Sequence, residues 1–168
     1  MTPQRQQYKK PYAEASVFIA LIRGEVLNGV DRGAIGEHIL RMGQSGVYRI
    51  YTATWTMAEV HKKRTVPAVT LSTENDLNVL ALFEQEFFEL IQLDREIGED
   101  ANRIAREKGL MPGDAVHVAS ALRAECDVLL SWDRHLVGKT DLGISAEYPQ
   151  LIGQAQLPPM PHGRDSKA

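Results

Sequence analysis

Four acidic residues lie at or just past the end of a predicted strand, or in the first turn of a predicted helix. They are Glu14 in YAEASVFIAL, Glu59 in TATWTMAEVHKK, Asp114 in MPGDAVHVASAL and Asp133 in CDVLLSWDRHL. Carboxylates that share one crevice repel each other, and without cations some of them would stay protonated. Hard divalent ions such as Mg²⁺ bind carboxylate oxygens and relieve this repulsion. The four acids therefore indicate either a metal site or the ordinary capping of helices and solvation of the surface.

Each acid also has an explanation that needs no metal, and these explanations differ in strength. Glu14 sits between small residues in an apolar stretch, which favours a functional role over a solvated edge position. Thr56 and Glu59 have the spacing of a capping box, which by itself would account for Glu59. Asp114 falls in a first helical turn, where the helix dipole favours an acid by roughly 0.3–1 kcal/mol. Asp133 is the strongest single candidate, because it follows the end of an apolar strand by two residues.

Other polar residues close to these acids in the sequence have supporting roles available to them. His117 is one helical turn after Asp114 and on the same face, so it could orient an acid or contact substrate. A half-buried histidine bonded to a backbone carbonyl is the more common arrangement. Ser16 and Ser131 could donate to carboxylates, although capping a helix is the commoner use of serine. The segment HKKR offers either a solvated helix face or contacts to phosphate, from Lys62, Lys63 and Arg64.

The elements that must position these residues alternate between strand and helix. Strands are predicted at residues 12–15, 47–54, 87–93 and 127–131, and near Ile144 or Leu151. Helices are predicted from residue 17, at 32–42, 56–64, 73–86, 94–108 and 112–125, and briefly after residue 134. This alternation predicts an α/β fold with a mostly parallel sheet that helices cover on both faces. In such sheets, binding and catalytic sites lie at the carboxyl ends of the strands.

Length and composition indicate one folded domain. Of the 168 residues, we expect 11–153 to form it, between a flexible N-terminal arm (1–10) and a flexible C-terminal tail (154–168). The single cysteine, Cys126, makes no internal disulfide and is read as packing, which predicts a reducing, cytoplasmic setting. No apolar run is long enough for a membrane span, and the polar start does not resemble a secretory signal. The net charge of −3 is not that of a general nucleic-acid binder, so any such contact needs a local patch or bound cations.

Four motifs in this order and spacing resemble the PIN-domain family of ribonucleases, in the short form found in VapC-type toxins. They are YAEASVFIALIRGE, TATWTMAEVHK, GLMPGDAVHVASAL and LLSWDRHL. Each motif alone is weak, but the set with the amphipathic helix before GLMPGD is fairly specific. The resemblance covers roughly residues 12–151 and implies a PIN-like α/β/α sandwich.

The resemblance also implies a set of site residues. Glu14, Glu59, Asp114 and Asp133 stand where the family's four carboxylates hold one or two Mg²⁺ or Mn²⁺ ions, and Ser131 matches the family's Ser or Thr. Asp114 and Asp133 would be the principal ligands with Glu14, while Glu59 would bind directly or through water. The family's first acid is most often Asp, so Glu14 adds a methylene to a site that is sensitive to small displacements.

The implied activity is metal-dependent cleavage of single-stranded RNA, which leaves a 5′-phosphate and a 3′-hydroxyl. A bound ion would let an acidic chain accept acidic RNA and would activate water for in-line attack. The resemblance favours a toxin with a cognate antitoxin protein, often as a homodimer. The alternative is a PIN fold with a weakened site that binds RNA or a protein without cutting. An acid-nucleophile phosphatase is set aside, because a second acid two residues after the first is required and Ser16 stands there.

Overall fold

The computed structural model describes residues 8–60 and 80–150. Its centre is a sheet of five strands that all run parallel, in the order β5-β4-β1-β6-β7. The strands are β1 (Pro11–Ala13), β4 (Ile50–Ala53), β5 (Phe88–Ile91), β6 (Val128–Leu130) and β7 (Ser145–Glu147). The predicted α/β fold with a parallel sheet is confirmed. The chain returns to the starting edge after each strand, so all carboxyl ends meet at one edge of the sheet.

Helices connect the strands, and several begin and end where the sequence predicts. They are α1 (Ala15–Arg23), α2 (Arg32–Gln44), α3 (Thr54–Val60), α4 (Arg95–Lys108), α5 (Pro112–Arg123) and α6 (Arg134–Val137). Asp94 caps α4 by accepting the backbone N–H of Ile97 at 2.9 Å. Gly109 ends the same helix at φ +64°, a conformation that favours glycine. Pro112 then opens α5, where its missing N–H costs nothing.

Two hydrophobic cores cover the two faces of the sheet. Successive residues of β6 point to opposite faces, so Leu129 packs into one core while Val128 and Leu130 pack into the other. The first core includes Ile104 of α4 and Val118 of α5. The second includes Phe18 of α1 and Ile39 of α2. The chain is therefore the predicted three-layer α/β/α sandwich.

Local differences from the predicted elements have local causes. Asn28 and Gly29, predicted only as a break, adopt φ values of 51° and 76° and close a hairpin of β2 (Val26–Leu27) and β3 (Val30–Asp31). Helix α2 runs through residues predicted as loop, to Gln44. The helix predicted at 73–86 is helical at residues 80–82 and then turns, and its predicted start lies outside the described residues.

The predicted arm and tail fall mostly outside the described residues, so the division of the chain stays a prediction. Tyr8 is buried and its hydroxyl donates to Glu147 at 2.8 Å. The backbone N–H groups of Lys9 and Lys10 donate to the Asp127 carboxylate at 2.8 and 3.1 Å. The last three residues of the predicted arm are thus held against the sheet. Within residues 8–60 and 80–150, no helix combines the length and apolarity that crossing a bilayer requires.

Candidate metal centre

The carboxyl edge of the sheet gathers residues from several chain segments that are far apart in sequence. Glu14 directly follows β1, Glu59 lies in the helix after β4, and His117 lies in α5. One ligand atom from each of these three side chains lies within 4.8 Å of the others. We call Glu14, Glu59 and His117 the site cluster. Its composition differs from the predicted four acids, because a histidine enters while Asp114 and Asp133 lie outside this closest group.

The two oxygens of the buried Glu14 carboxylate have different surroundings. Oε2 accepts the backbone N–H of Ser16 at 3.0 Å, the hydroxyl of Ser131 at 2.9 Å and the hydroxyl of Ser16. Oε1 faces His117, whose Nε2 is 3.7 Å away. The two serines thus donate to a carboxylate, which was one of the two options that the sequence left open. They anchor one oxygen of Glu14 and leave the other directed at the site cluster.

His117 is fully buried, and both of its ring nitrogens have side-chain partners. Nε2 lies 2.6 Å from Oε2 of Glu59, and Nδ1 lies 2.8 Å from the hydroxyl of Tyr12. A carboxylate only accepts hydrogen bonds, so Nε2 carries the proton in this arrangement. Burial raises the pKa of Tyr12 far above its ordinary value, so its hydroxyl stays protonated and donates to Nδ1. The more common arrangement, with a backbone carbonyl as partner, is not the one adopted.

Glu59 is held by tertiary contacts, and the capping-box explanation for it is wrong. Helix α3 begins at Thr54, so Thr56 lies within the helix and does not cap it. The Thr56 hydroxyl instead lies 2.8 Å from the hydroxyl of Thr52, which donates to the backbone of β1. The other oxygen of Glu59, Oε1, lies 3.0 Å from the point where a side chain on Gly113 would begin. The glycine thus leaves room for this carboxylate at the start of α5.

Asp114 and Asp133 lie near enough to the cluster to interact electrostatically with it. The pKa of Asp114 is raised to about 6, first by burial and then by the nearby carboxylates of Asp133 and Glu14. Asp133 follows β6 and caps α6, where its Oδ1 accepts the backbone N–H of His135 at 2.7 Å. Its own N–H donates to Ser131 at 2.9 Å. Asp133 is therefore tied to the same serine that anchors Glu14.

The residues at this edge fit a divalent cation. Carboxylate oxygens are ligands of such ions, and those of Glu14 and Glu59 converge here beside His117. Among the described residues, no lysine or arginine is paired to either oxygen of Glu14. Burial and the neighbouring carboxylates both raise the pKa of Asp114, and a cation would offset both effects. The arrangement is thus suited to hold a cation.

Some predicted residues cannot be placed, and one partner was not predicted. Lys62, Lys63 and Arg64 lie outside the described residues. Tyr12 was not singled out, although it lies two residues before Glu14 and alternate residues of a strand point to the same face. That spacing was the available signal for a side chain reaching the same edge.

This chain is similar to a known domain family and to several solved structures. The family model of the PIN domain matches residues 12–140. VapC20 of Mycobacterium tuberculosis, described as a sarcin-ricin loop cleaving toxin, superposes with a TM-score of 0.55 at 14% identity, over 74% of this chain and 90% of that one. A toxin–antitoxin complex from Klebsiella pneumoniae gives 0.55 at 16% identity, over 84% and 99%. VapBC2 of Rickettsia felis, bound to a promoter DNA fragment, gives 0.54 at 13% identity, over 83% and 98%.

These identities are low, so the superpositions speak for the fold alone. No curated protein matches the sequence significantly. The family model, in contrast, matches most of the chain, and its span runs from β1, which precedes Glu14, past Asp133. The chain belongs to the PIN-domain family.

Proposed function

We propose that this protein is a metal-dependent endoribonuclease that cleaves single-stranded RNA, as the toxin of a type II toxin–antitoxin pair. The observation that carries the proposal is the convergence of Glu14, Glu59 and His117, with Asp114 and Asp133 close by, at the carboxyl edge of a PIN-family sheet. Carboxylates that repel one another in a partly buried edge are unfavourable unless a cation or a proton compensates them.

In this proposal Mg²⁺ or Mn²⁺ is held by Glu14, Glu59, Asp114 and Asp133. The ion, when bound, supplies a positive charge beside the phosphodiester and lowers the pKa of water for attack. The protein's contribution is to hold the carboxylates in place. Ser16 and Ser131 anchor Oε2 of Glu14, so Oε1 is the oxygen that remains available. His117 fixes the carboxylate of Glu59 through Oε2, which lies 2.6 Å from its Nε2.

The toxin assignment draws on the structural neighbours. One is described as a toxin that cleaves the sarcin-ricin loop, a second as a toxin–antitoxin complex, and a third as VapBC2 bound to promoter DNA. By extension we propose a cognate antitoxin protein as partner, a homodimeric state and a cytoplasmic location. Lys62, Lys63 and Arg64 would contact RNA phosphates. A short reading frame directly upstream that encodes a small protein, and that suppresses growth arrest when co-expressed, would support the pairing.

The test of the nuclease is cleavage of a mixed single-stranded RNA pool with Mn²⁺ or Mg²⁺, against an EDTA control. Asp114→Asn and Asp133→Asn should abolish cleavage while the circular dichroism spectrum stays that of the wild type. The matched control is Asp100→Asn, because Asp100 is an exposed acid on α4 that pairs with Arg103. Cleavage that survives EDTA, or that Asp114→Asn retains at the wild-type rate, would contradict the proposal.

A second candidate function is a PIN-fold module that binds RNA or a protein without cutting. The observation that favours it is Glu14, a longer acid than the family's usual Asp, with one oxygen occupied by serine hydroxyls. Measuring RNA binding and RNA cleavage, each with and without the metal, distinguishes the two functions. A binding module would bind RNA with or without a metal and leave it intact, whereas the nuclease would cut it only with the metal present.

A further inference from the structure

The two most exposed aromatic side chains in residues 8–60 and 80–150 are Trp55 and Tyr148, at 37% and 42% exposure. Trp55 lies in the helix that follows β4, and Tyr148 directly follows β7. Both therefore lie at the carboxyl edge of the sheet, where the site cluster lies. Exposing large aromatic surface to water is unfavourable, so two such rings at one edge call for an explanation.

Trp55 stands on the Glu59 side of the cluster. Its indole Nε1 lies 3.6 Å from the point where a side chain on Gly113 would begin, and Oε1 of Glu59 lies 3.0 Å from the same point. Trp55 and a proposed metal ligand thus meet over the same glycine at the start of α5.

Tyr148 stands on the other side and extends a stack of planar groups. Its ring stacks on Trp132 with the centroids 6.1 Å apart and the planes 26° apart, and the guanidinium of Arg32 lies 4.7 Å from the Trp132 centroid. The buried indole N–H of Trp132 donates to no acceptor within the described residues, and the ring also packs against the core beneath α1 and α2. The backbone N–H of Trp132 donates to Ser16 at 2.8 Å, and Ser16 in turn donates to Glu14.

The strand order places the acids between these two aromatic groups. From β4 to β7 the order is β4-β1-β6-β7, and Glu14 and Asp133 follow the two strands in the middle. Three strand steps of roughly 4.8 Å separate the outer strands by about 14 Å. The acids of the site therefore lie between the Trp55 side and the Tyr148 side of the carboxyl edge.

We propose that Trp55 and the Tyr148–Trp132 stack each bind one unpaired nucleobase, on opposite sides of the phosphate that lies at the site cluster. The proposal rests on the ribonuclease function proposed above. Aromatic side chains bind single-stranded nucleic acid by stacking on the faces of its bases, largely regardless of base identity. A chain with a net charge of −3 and acids at its site attracts phosphates weakly, so stacking supplies binding that charge does not.

The experiment measures RNA affinity in the Asp133→Asn background with Mn²⁺, so that cleavage does not consume the ligand. The two ligands are a short oligoadenylate and an abasic ribose-phosphate oligomer of the same length and charge. Tyr148→Ala and Trp55→Ala should each weaken oligoadenylate binding by between about 5-fold and about 150-fold. Neither should change binding of the abasic oligomer. Tyr148→Phe and Trp55→Phe, which keep a ring, should retain most of the affinity.

Leu122→Ala is the matched control, because Leu122 is 37% exposed and lies near the end of α5, away from the carboxyl edge. It should leave both affinities unchanged. The proposal would be overturned if Trp55→Ala and Tyr148→Ala lost the same affinity for both oligomers, or lost affinity for neither. In the otherwise wild-type enzyme, cleavage with the same KM before and after Tyr148→Ala would overturn it while the nuclease assignment stands. If the wild-type chain neither binds nor cuts RNA, both the base-stacking proposal and the proposed ribonuclease function are wrong.

Discussion

His117 Nε2 lies 2.6 Å from Oε2 of Glu59, so a histidine on α5 holds a carboxylate that α3 supplies. The Tyr12 hydroxyl, 2.8 Å from Nδ1, fixes the other side of the same ring. Residues that orient a metal ligand in this way are known to matter nearly as much as the ligand itself. The chain Tyr12–His117–Glu59 therefore suggests where the site is most sensitive to change.

The first prediction concerns this chain. His117→Ala should lower Mn²⁺ affinity by roughly 10- to 100-fold, because Glu59 loses the group that orients it. Tyr12→Phe should lower the affinity less, and should reduce the free energy of unfolding by about 1–3 kcal/mol because Nδ1 loses its buried partner. Calorimetric titration with Mn²⁺ and urea unfolding would measure the two effects.

Tyr48→Phe serves as the control for Tyr12→Phe. The Tyr48 hydroxyl is buried and donates to the backbone carbonyl of Ile39 at 3.4 Å, on the core beneath α2. The control should lose stability without losing Mn²⁺ affinity. If Tyr12→Phe and Tyr48→Phe behave alike in the metal titration, the hydroxyl of Tyr12 has no role in orienting His117.

The second prediction concerns pH and the metal-free protein. The pKa of Asp114 is about 6 in the fold and 3.8 ordinarily, so folding is opposed wherever the carboxylate is ionised in the unfolded chain. This loss of folding stability is complete above pH 6, decreases as the pH falls toward about 4, and is absent below that pH. Asp114→Asn should therefore raise the thermal midpoint of the metal-free protein above pH 6, and the gain should vanish by about pH 4.

A control of opposite sign is available on the surface. The ammonium group of Lys108, 3.0 Å from Asp141, lowers the pKa of that exposed acid, so ionisation there favours the fold. Asp141→Asn should slightly lower the midpoint at neutral pH, where Asp114→Asn raises it. Differential scanning calorimetry with and without Mn²⁺ tests both. A midpoint for Asp114→Asn that equals the wild type at pH 8 would contradict the expectation that ionised Asp114 opposes folding.

The third prediction concerns the length of Glu14. Glu14→Asp keeps an acid that caps α1, but it withdraws the carboxylate by one bond of about 1.5 Å. Since the serines hold Oε2 while Oε1 reaches toward His117, the shorter acid loses one of the two contacts. Mn²⁺ affinity should fall at least about 10-fold. Glu14→Gln keeps the length of the side chain and removes its charge, and it should lower Mn²⁺ affinity at least as much.

The outcome for Glu14→Asp also separates the two candidate functions. A gain in affinity and in RNA cleavage would mean that the natural glutamate weakens the site, as the binding-module alternative requires. A loss would mean that the surrounding serines and His117 are adapted to the longer side chain. Isothermal titration and single-turnover cleavage with the same preparation would report both quantities.

The fourth prediction concerns Gly113. A methyl group there would stand 3.0 Å from Oε1 of Glu59, so the carboxylate must shift by a few tenths of an ångström. Alanine also favours a helix over glycine by up to roughly 1 kcal/mol. Gly113→Ala should therefore leave the thermal midpoint unchanged or higher while it lowers Mn²⁺ affinity and cleavage. Gly98→Ala on α4, where the added methyl group meets open space, is the control and should leave Mn²⁺ affinity and cleavage unchanged.

The sequence alone determined the parallel α/β architecture and the edge at which function gathers. Helix and strand periods, the cap at Asp94, the stop at Gly109 and Pro112 are local signals, and local signals decide where elements begin and end. Once the strands are parallel, residues that follow them must meet at one edge. That is why Glu14 and Asp133, which follow β1 and β6, could be proposed together from their positions, whereas Asp114 was singled out by its place in a first helical turn.

Only the tertiary structure decided which side chains touch. His117 and Glu59 are 58 residues apart in the chain, and their contact depends on how α3 and α5 are placed on the sheet. The same holds for Thr56, whose spacing from Glu59 matched a capping box while its hydroxyl turned to Thr52. It holds again for Trp132 and Tyr148, which stack because neighbouring strands end side by side. Such contacts follow from long-range packing, which no window of neighbouring residues encodes.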